Sequence, residues 1–257
     1  MLVSKGSAKV INLFIPNKAN LTAHGSSDRR SLLKIDLNAL KDKGPITAAW
    51  EILFVVACVL ASEWLSPLIF GKNWYAGAVP AVIALGFIIL SQVAKREGPS
   101  EQGWRVNNLS KAILLLLPPM LVSAAVLLAI GWYFGSLQIS ALTPDFSVLA
   151  AAIGLLIWGL TQQYPLQAFI NRRSQAIWGP GLISVVFVAG VFALLHFPNV
   201  PLMIATFFAG LMWAFVYQRA PNLWALALSH ALMTAVLGLT VPNEALHGLR
   251  VGYNYFF

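Results

Sequence analysis

Seven residues whose side chains can move protons or hold polar ligands sit inside otherwise apolar stretches of this sequence. They are Glu51 and Glu63, then Gln162, Gln163 and Gln167, and finally His196 and His230. Ionisable groups are costly in hydrocarbon, so residues of this kind face a protein interior and mark functional positions. A carboxylate beside imidazoles suggests activation of water, with the imidazoles taking a proton or stabilising an oxyanion. A carboxamide offers hydrogen bonds and no basicity. Two histidines fall short of a metal-ligand set, so neither a metal nor another cofactor is expected. Plainer uses stand beside these. Glu51 lies within about a turn of an interface and is expected to reach water. Ser62 and Ser66 are available to Glu63, and a lone intramembrane histidine serves equally as a helix–helix hydrogen-bond partner.

The elements that must position these residues follow from composition. Of 257 residues, 58% are hydrophobic and 10% charged, whereas soluble domains carry about 25% charged residues. Mean hydropathy is +0.74. Disorder is excluded, and the single cysteine, Cys58, excludes a disulfide scaffold. Seven stretches approach or exceed the roughly 20 apolar residues that cross a bilayer as a helix. They are Thr47–Phe70, Trp74–Ala94, Ser110–Phe134, Ser147–Ile170, Gly181–His196, Val200–Gln218 and Pro221–Val241. Their apolar runs are continuous where barrel strands would alternate. The expected fold is an all-α polytopic transmembrane bundle of about seven helices. Pro165 is expected to kink the fourth, and Trp178-Gly179-Pro180-Gly181 suggests a fifth that begins within the membrane. Gly131 and Gly135 form a GxxxG at the end of the third, a hint of close packing.

Charge gives direction. Of the 17 Lys and Arg residues, 15 fall on one side of this arrangement, and Lys72 and Arg250 fall on the other. Cytoplasmic loops are the ones enriched in Lys and Arg, so the N-terminus is expected inside and the C-terminus outside. The basic excess is thereby used, and no nucleic-acid partner is implied. Residues 1–46 are expected to form a cytoplasmic segment with neither span nor signal peptide. Within it, Ser27–Lys41 carries Leu33, Leu37 and Leu40 at helical spacing beside Arg30, Lys34 and Lys41. Such a segment either lies on anionic membrane lipids or leads as a solvated helix into the first span. Residues 47–241 are the expected bundle. Residues 242–257 form an aromatic tail whose Tyr253, Tyr255, Phe256 and Phe257 suit docking at the outer interface, or belong to a frayed end. Trp50, Trp74, Trp104, Trp132 and Trp224 read as interface anchors.

The order of the polar groups is more informative than any one of them. QQYPLQAF at 162–169 is followed by FALLH at 192–196 and SHALMT at 229–234. This order resembles the CPBP family, the intramembrane proteases related to the type II CAAX prenyl endopeptidase and bacterial Abi proteins. That family carries EExxxR, then FxxxH, then HxxxN or a near variant. Here Phe192 and His196 keep the second motif intact. His230 keeps the third, with Thr234 where Asn or Asp is usual. The first motif is altered throughout: Gln162 and Gln163 stand for the two Glu, and Gln167 for the Arg. Ala168-Phe169, the HFPN that includes Asn199, and the run GLMWAFVYQRAPNLWALALSHAL also resemble the family. The likeness spans roughly residues 103–240.

The resemblance implies a multi-pass protein of the bacterial cytoplasmic (inner) membrane. It implies catalytic positions at Gln162, Gln163, Gln167, His196, His230 and Thr234, with Phe192 and Asn199 as binding candidates, to which Glu63 is added as an ionisable residue of the first span. In the family, one Glu activates a water that the histidines assist. A Gln pair cannot do so. Losing the Glu pair and the Arg together replaces a buried ionic cluster by a neutral amide network, which is cheaper to hold in lipid. The expectation is therefore a non-hydrolytic relative that binds a membrane-protein partner or a lipid-like ligand, as an accessory or assembly subunit. The alternative is an active endopeptidase with an altered site, using His196 or His230 as base or recruiting Glu63. Depth along the helices pairs Glu63 with His196, whereas the family pattern pairs His196 with His230 and the first motif. A small transporter is disfavoured by the lack of internal symmetry.

Overall fold

The computed structural model describes residues 44–71, 73–138 and 146–257. The N-terminal segment, with the amphipathic stretch expected at Ser27–Lys41, lies outside the described residues. Seven long helices account for most of the rest. Helix α1 is Pro45–Phe70 and contains a π-helical turn at Ala61–Leu65. Helix α2 is Trp74–Ala94 and α3 is Leu109–Tyr133. Helix α4 begins as Phe146–Gln163, passes through the π-helical stretch Tyr164–Asn171, and continues as Arg172–Trp178. Helices α5, α6 and α7 are Leu182–Leu194, Val200–Arg219 and Leu223–Thr240. Five of them, α1, α2, α3, α6 and α7, are long and apolar enough to cross a membrane, and α5 is a shorter apolar helix. No strand occurs among the described residues. The protein is an all-α integral, multi-pass membrane protein.

Local chemistry explains where these helices start. Asn73, Asn199 and Asn222 are N-caps whose side-chain oxygens accept from Tyr75 N, Leu202 N and Ala225 N at 3.1, 3.2 and 2.9 Å. Each pairs an amide that the first helical turn would otherwise leave orphaned. Pro45 occupies the first helical position of α1, where its missing N–H costs nothing.

The seven helices lie on the seven predicted stretches with one clear difference. The fourth, expected to end at Ile170, runs on to Trp178. Pro165 sits at the start of the π-helical stretch. A wide turn has room for the ring and for the missing hydrogen bond, so the proline neither ends nor breaks the helix.

This extension corrects the expectation for Glu51. The carboxylate is 2% exposed rather than bathed in water. It accepts from Lys95 Nζ at 2.7 Å and Arg173 Nε at 2.6 Å, and from the Ser91 hydroxyl. Arg173 also bonds Glu97 at 2.6 Å. The cluster ties α1 to α2 and to the far end of α4, and full pairing is what makes the buried charges tolerable.

Close approaches set the remaining geometry. A Cβ on Gly159 of α4 would stand 2.8 Å from the Ala227 carbonyl of α7 and 3.2 Å from His230 Cβ. Gly131 packs equally tightly, its Cβ position being 2.8 Å from Thr240 O, whereas Gly135 meets nothing. Only half of the GxxxG pair is therefore a packing contact.

The C-terminal tail is folded back. Gly252 N donates to Phe197 O at 3.0 Å, and Asn199 Nδ2 donates to Leu246 O at 2.7 Å and Arg250 O at 3.1 Å. Phe256 lies against Trp64 (6.3 Å between centroids), and Trp64 stacks on Phe197 (5.8 Å). A frayed terminus is thus replaced by one anchored to the π-turn of α1.

Candidate functional site

The second and third motifs meet around one aromatic ring. Phe192 of α5 lies 4.8 Å from the His196 ring, 6.0 Å from His230 and 5.8 Å from Trp213. His196, just past the end of α5, donates from Nδ1 to the Phe192 carbonyl at 2.7 Å. A carbonyl only accepts, so this fixes the proton on Nδ1 and leaves Nε2 of the neutral ring as a lone pair. His230 of α7 stacks face to face on Trp213 of α6, with centroids 4.6 Å apart and planes 8° from parallel. Trp213 Nε1 donates to Ser229 Oγ at 2.9 Å, which fixes the indole.

Gln163, fully buried at the end of the α-helical part of α4, supplies the link to the first motif. Its Nε2 lies 3.2 Å from His230 Nδ1. An amide N–H can only donate, so Nδ1 accepts and Nε2 of His230 carries the hydrogen. The two imidazoles are therefore opposite in character, one presenting an acceptor and the other a donor.

Gln167 points elsewhere. Its Oε1 accepts from Asn171 at 2.8 Å, and Asn171 Oδ1 accepts in turn from Gln175 and Gln218, each at 3.0 Å. Gln218 reaches on to Ser184 at 2.9 Å. The structure thus brings Gln163, Phe192, His196 and His230 together and places Gln167 in a separate amide network between α4, α5 and α6. Three buried amide atoms, Gln162 Oε1, Gln163 Oε1 and Gln167 Nε2, have no hydrogen-bond partner among the described residues.

A cavity of about 1180 Å³ opens beside this cluster. Gln162, Phe192, His196, Trp213, His230 and Thr234 line it, with Glu63 on its α1 wall. Most of the remaining lining is aliphatic: Val55 and Val59 of α1, Ala81 and Leu85 of α2, Val126 and Ile130 of α3, Leu237 of α7. No Lys or Arg side chain reaches it among the described residues. Glu63 lies in the π-turn of α1, and its carboxylate has no partner among the described residues. Ser62 instead donates to Gly77 O at 2.6 Å. Asn199, a binding candidate in the sequence, spends its side chain on the α6 cap and the tail carbonyls. Among the described residues no group of three or more His, Cys, Asp or Glu side chains could hold a metal ion.

Trp213 and Ser229 escaped the sequence reading as site residues. Their signal was present, since Trp213 lies in the run between the second and third motifs and Ser229 opens the third, but a tryptophan in an apolar helix reads as packing.

Residues 142–236 match the family model described as Rce1-like: Type II CAAX prenyl endopeptidase Rce1-like. The matched segment contains the Gln162–Gln163 pair and both histidines. No curated protein and no solved structure matches the chain.

Proposed function

We propose that this Rce1-like integral membrane protein does not hydrolyse peptides. Its cavity binds a lipid-like ligand or the apolar segment of a membrane-protein partner, and the protein acts as an accessory or assembly subunit. One observation carries the reading: where the resemblance places a glutamate, fully buried Gln163 donates a hydrogen bond to His230. That nitrogen can take no proton from water, and loss of a positioned base removes about 10²–10⁴-fold of rate. The cavity supports the binding half of the proposal, because it is large, mostly apolar and polar at one wall, as ligand sites are. The N-terminus lies in the cytoplasm of a bacterial cell and the tail lies outside, in accord with the distribution of Lys and Arg.

The test is restoration. Purified wild type and the Gln162→Glu/Gln163→Glu double variant are offered prenylated and transmembrane peptides. Wild type is expected to be inert and to co-purify with a hydrophobic ligand or with a membrane protein in fixed ratio. Cleavage by wild type that vanishes in His196→Ala or His230→Ala would overturn the proposal.

A second reading draws on Glu63. This unpaired carboxylate lines the same cavity as the bare Nε2 of His196. An active endopeptidase would use that pair in place of the missing first-motif glutamates. It requires wild-type cleavage that Glu63→Gln abolishes.

A further inference from the structure

We infer that the C-terminal tail is a lid, held shut over one end of the cavity against strain in its own backbone. Leu246, Leu249 and Val251 of the tail line the cavity beside Pro201 and Leu202 of α6. His247, Gly248 and Arg250, which alternate with them along the chain, are exposed and do not line it. Here the tail is a single layer with the cavity on one side and the surroundings on the other. It closes over the polar end. Gly252 N donates at 3.0 Å to the carbonyl of Phe197, the residue that follows His196. A Cβ on Gly252 would stand 2.5 Å from the Glu63 carbonyl oxygen, so the tail is seated directly on the π-turn that carries this carboxylate.

The contacts that hold the lid are set against its backbone. Asn199 Nδ2 donates to Leu246 O at 2.7 Å and to Arg250 O at 3.1 Å, one bond on each side of the exposed stretch. The Phe256 ring rests on Trp64 near the chain end. Between the two Asn199 bonds, His247, Gly248 and Leu249 have φ of 48°, 62° and 59° in succession. Left-handed backbone is costly for a residue with a Cβ, and it persists only where the surroundings over-determine it. Released from Asn199, His247 and Leu249 can relax to ordinary backbone, so strain drives the lid open once its bonds are lost. A segment with exposed backbone and a small number of contacts is also the kind that opens locally without global unfolding. Closure keeps water from Glu63 and His196, as lids over reactive or ligand-filled sites do. The lid serves the cavity whichever occupant it takes.

The experiment measures access of water to the cavity in the full chain, held in nanodiscs. A reporter thiol is introduced by Leu195→Cys, on the cavity wall beside His196, in a Cys58→Ser background. Its rate of modification by the membrane-impermeant reagent MTSET is followed by mass spectrometry. With the native tail the reporter is expected to react slowly. Asn199→Asp keeps the oxygen that caps α6 and removes the donor to both tail carbonyls. It is expected to speed labelling about tenfold, the effect of losing two hydrogen bonds of ordinary net strength. Phe256→Ala, at the exposed chain end, leaves the cap untouched and is expected to move the rate in the same direction. Native Cys58, retained without the reporter in a parallel set, lies on α1 and does not line the cavity, so its rate is expected to stay unchanged. A reporter that already reacts as fast as a free thiol beneath the native tail overturns the inference, and so does a rate that neither variant raises. A parallel rise at Cys58 in Asn199→Asp means general loosening; Phe256→Ala then decides alone, and no rise there overturns the lid.

Discussion

The side-chain nitrogen of Gln163 stands 3.2 Å from Nδ1 of His230, joining α4 to α7 at the point where the α-helical part of α4 gives way to its π-helical stretch. This amide is a donor, and it fixes which imidazole nitrogen carries the hydrogen. The same contact is structural, because it pairs a buried ring atom.

Gln163→Leu removes the donor and leaves His230 Nδ1 unpaired. The expected loss is about 1–3 kcal/mol of stability, the usual penalty for an orphaned buried polar group. Denaturation in mixed micelles with increasing SDS checks it. A change under about 0.5 kcal/mol would show that the contact holds nothing.

Glu51→Gln strips the carboxylate from between Lys95 and Arg173, leaving buried Lys95 without its carboxylate and Arg173 with Glu97 alone. Breaking one side of a buried ionic cluster costs about 3–5 kcal/mol. The Lys95→Met/Glu51→Gln pair should lose less than the sum of the singles, since each removes a charge that the other needs. Thermal unfolding of the four proteins in detergent measures that coupling.

Gly159→Val would push a side chain into the Ala227 carbonyl of α7 and towards His230 Cβ. The two helices must separate or the substituted protein must strain, and overpacking of this kind costs about 1–3 kcal/mol. The variant is expected to lose thermal stability together with retention of whatever ligand the wild type carries through purification. Unchanged melting with unchanged ligand would contradict the packing.

Asn199→Ala removes the α6 cap and both hydrogen bonds to the tail carbonyls. Loss of the cap alone costs about 1 kcal/mol. The tail is expected to become a substrate for carboxypeptidase Y at a rate several times that of wild type, read by mass spectrometry. Equal rates would place the tail's anchorage elsewhere, in the Phe256–Trp64 contact.

The helices were legible because membrane spans advertise themselves as unbroken apolar runs: each predicted run falls on a helix among the described residues, and five of these are long and apolar enough to cross a membrane. The end of α4 was not, because hydropathy falls after Ile170 and Pro165 reads as a kink. Only the wide turn lets the helix continue. Glu51 was misjudged for the same reason, since its partner Arg173 lies on that unforeseen extension, 122 residues away. At the site, motif order pointed to His196 and His230, which both lie against the Phe192 ring, and Glu63 lines the same cavity as His196. The stacking of Trp213 on His230 had no such signal, because the face a tryptophan presents depends on helix rotation.

The π-helical stretch of α4 has a consequence for angular phase. Each residue added to or removed from a helix turns everything beyond it by about 100°. Gln163 precedes the stretch and Arg173 follows it, so their aim is shared out by the wide turn between them. Rewinding positions 164–171 as ordinary α-helix, with no residue removed, would swing Arg173 away from Glu51 while Gln163 still faced His230. The amide contact and the buried ionic cluster, far apart on the helix, are therefore kept in register by the same irregular turn.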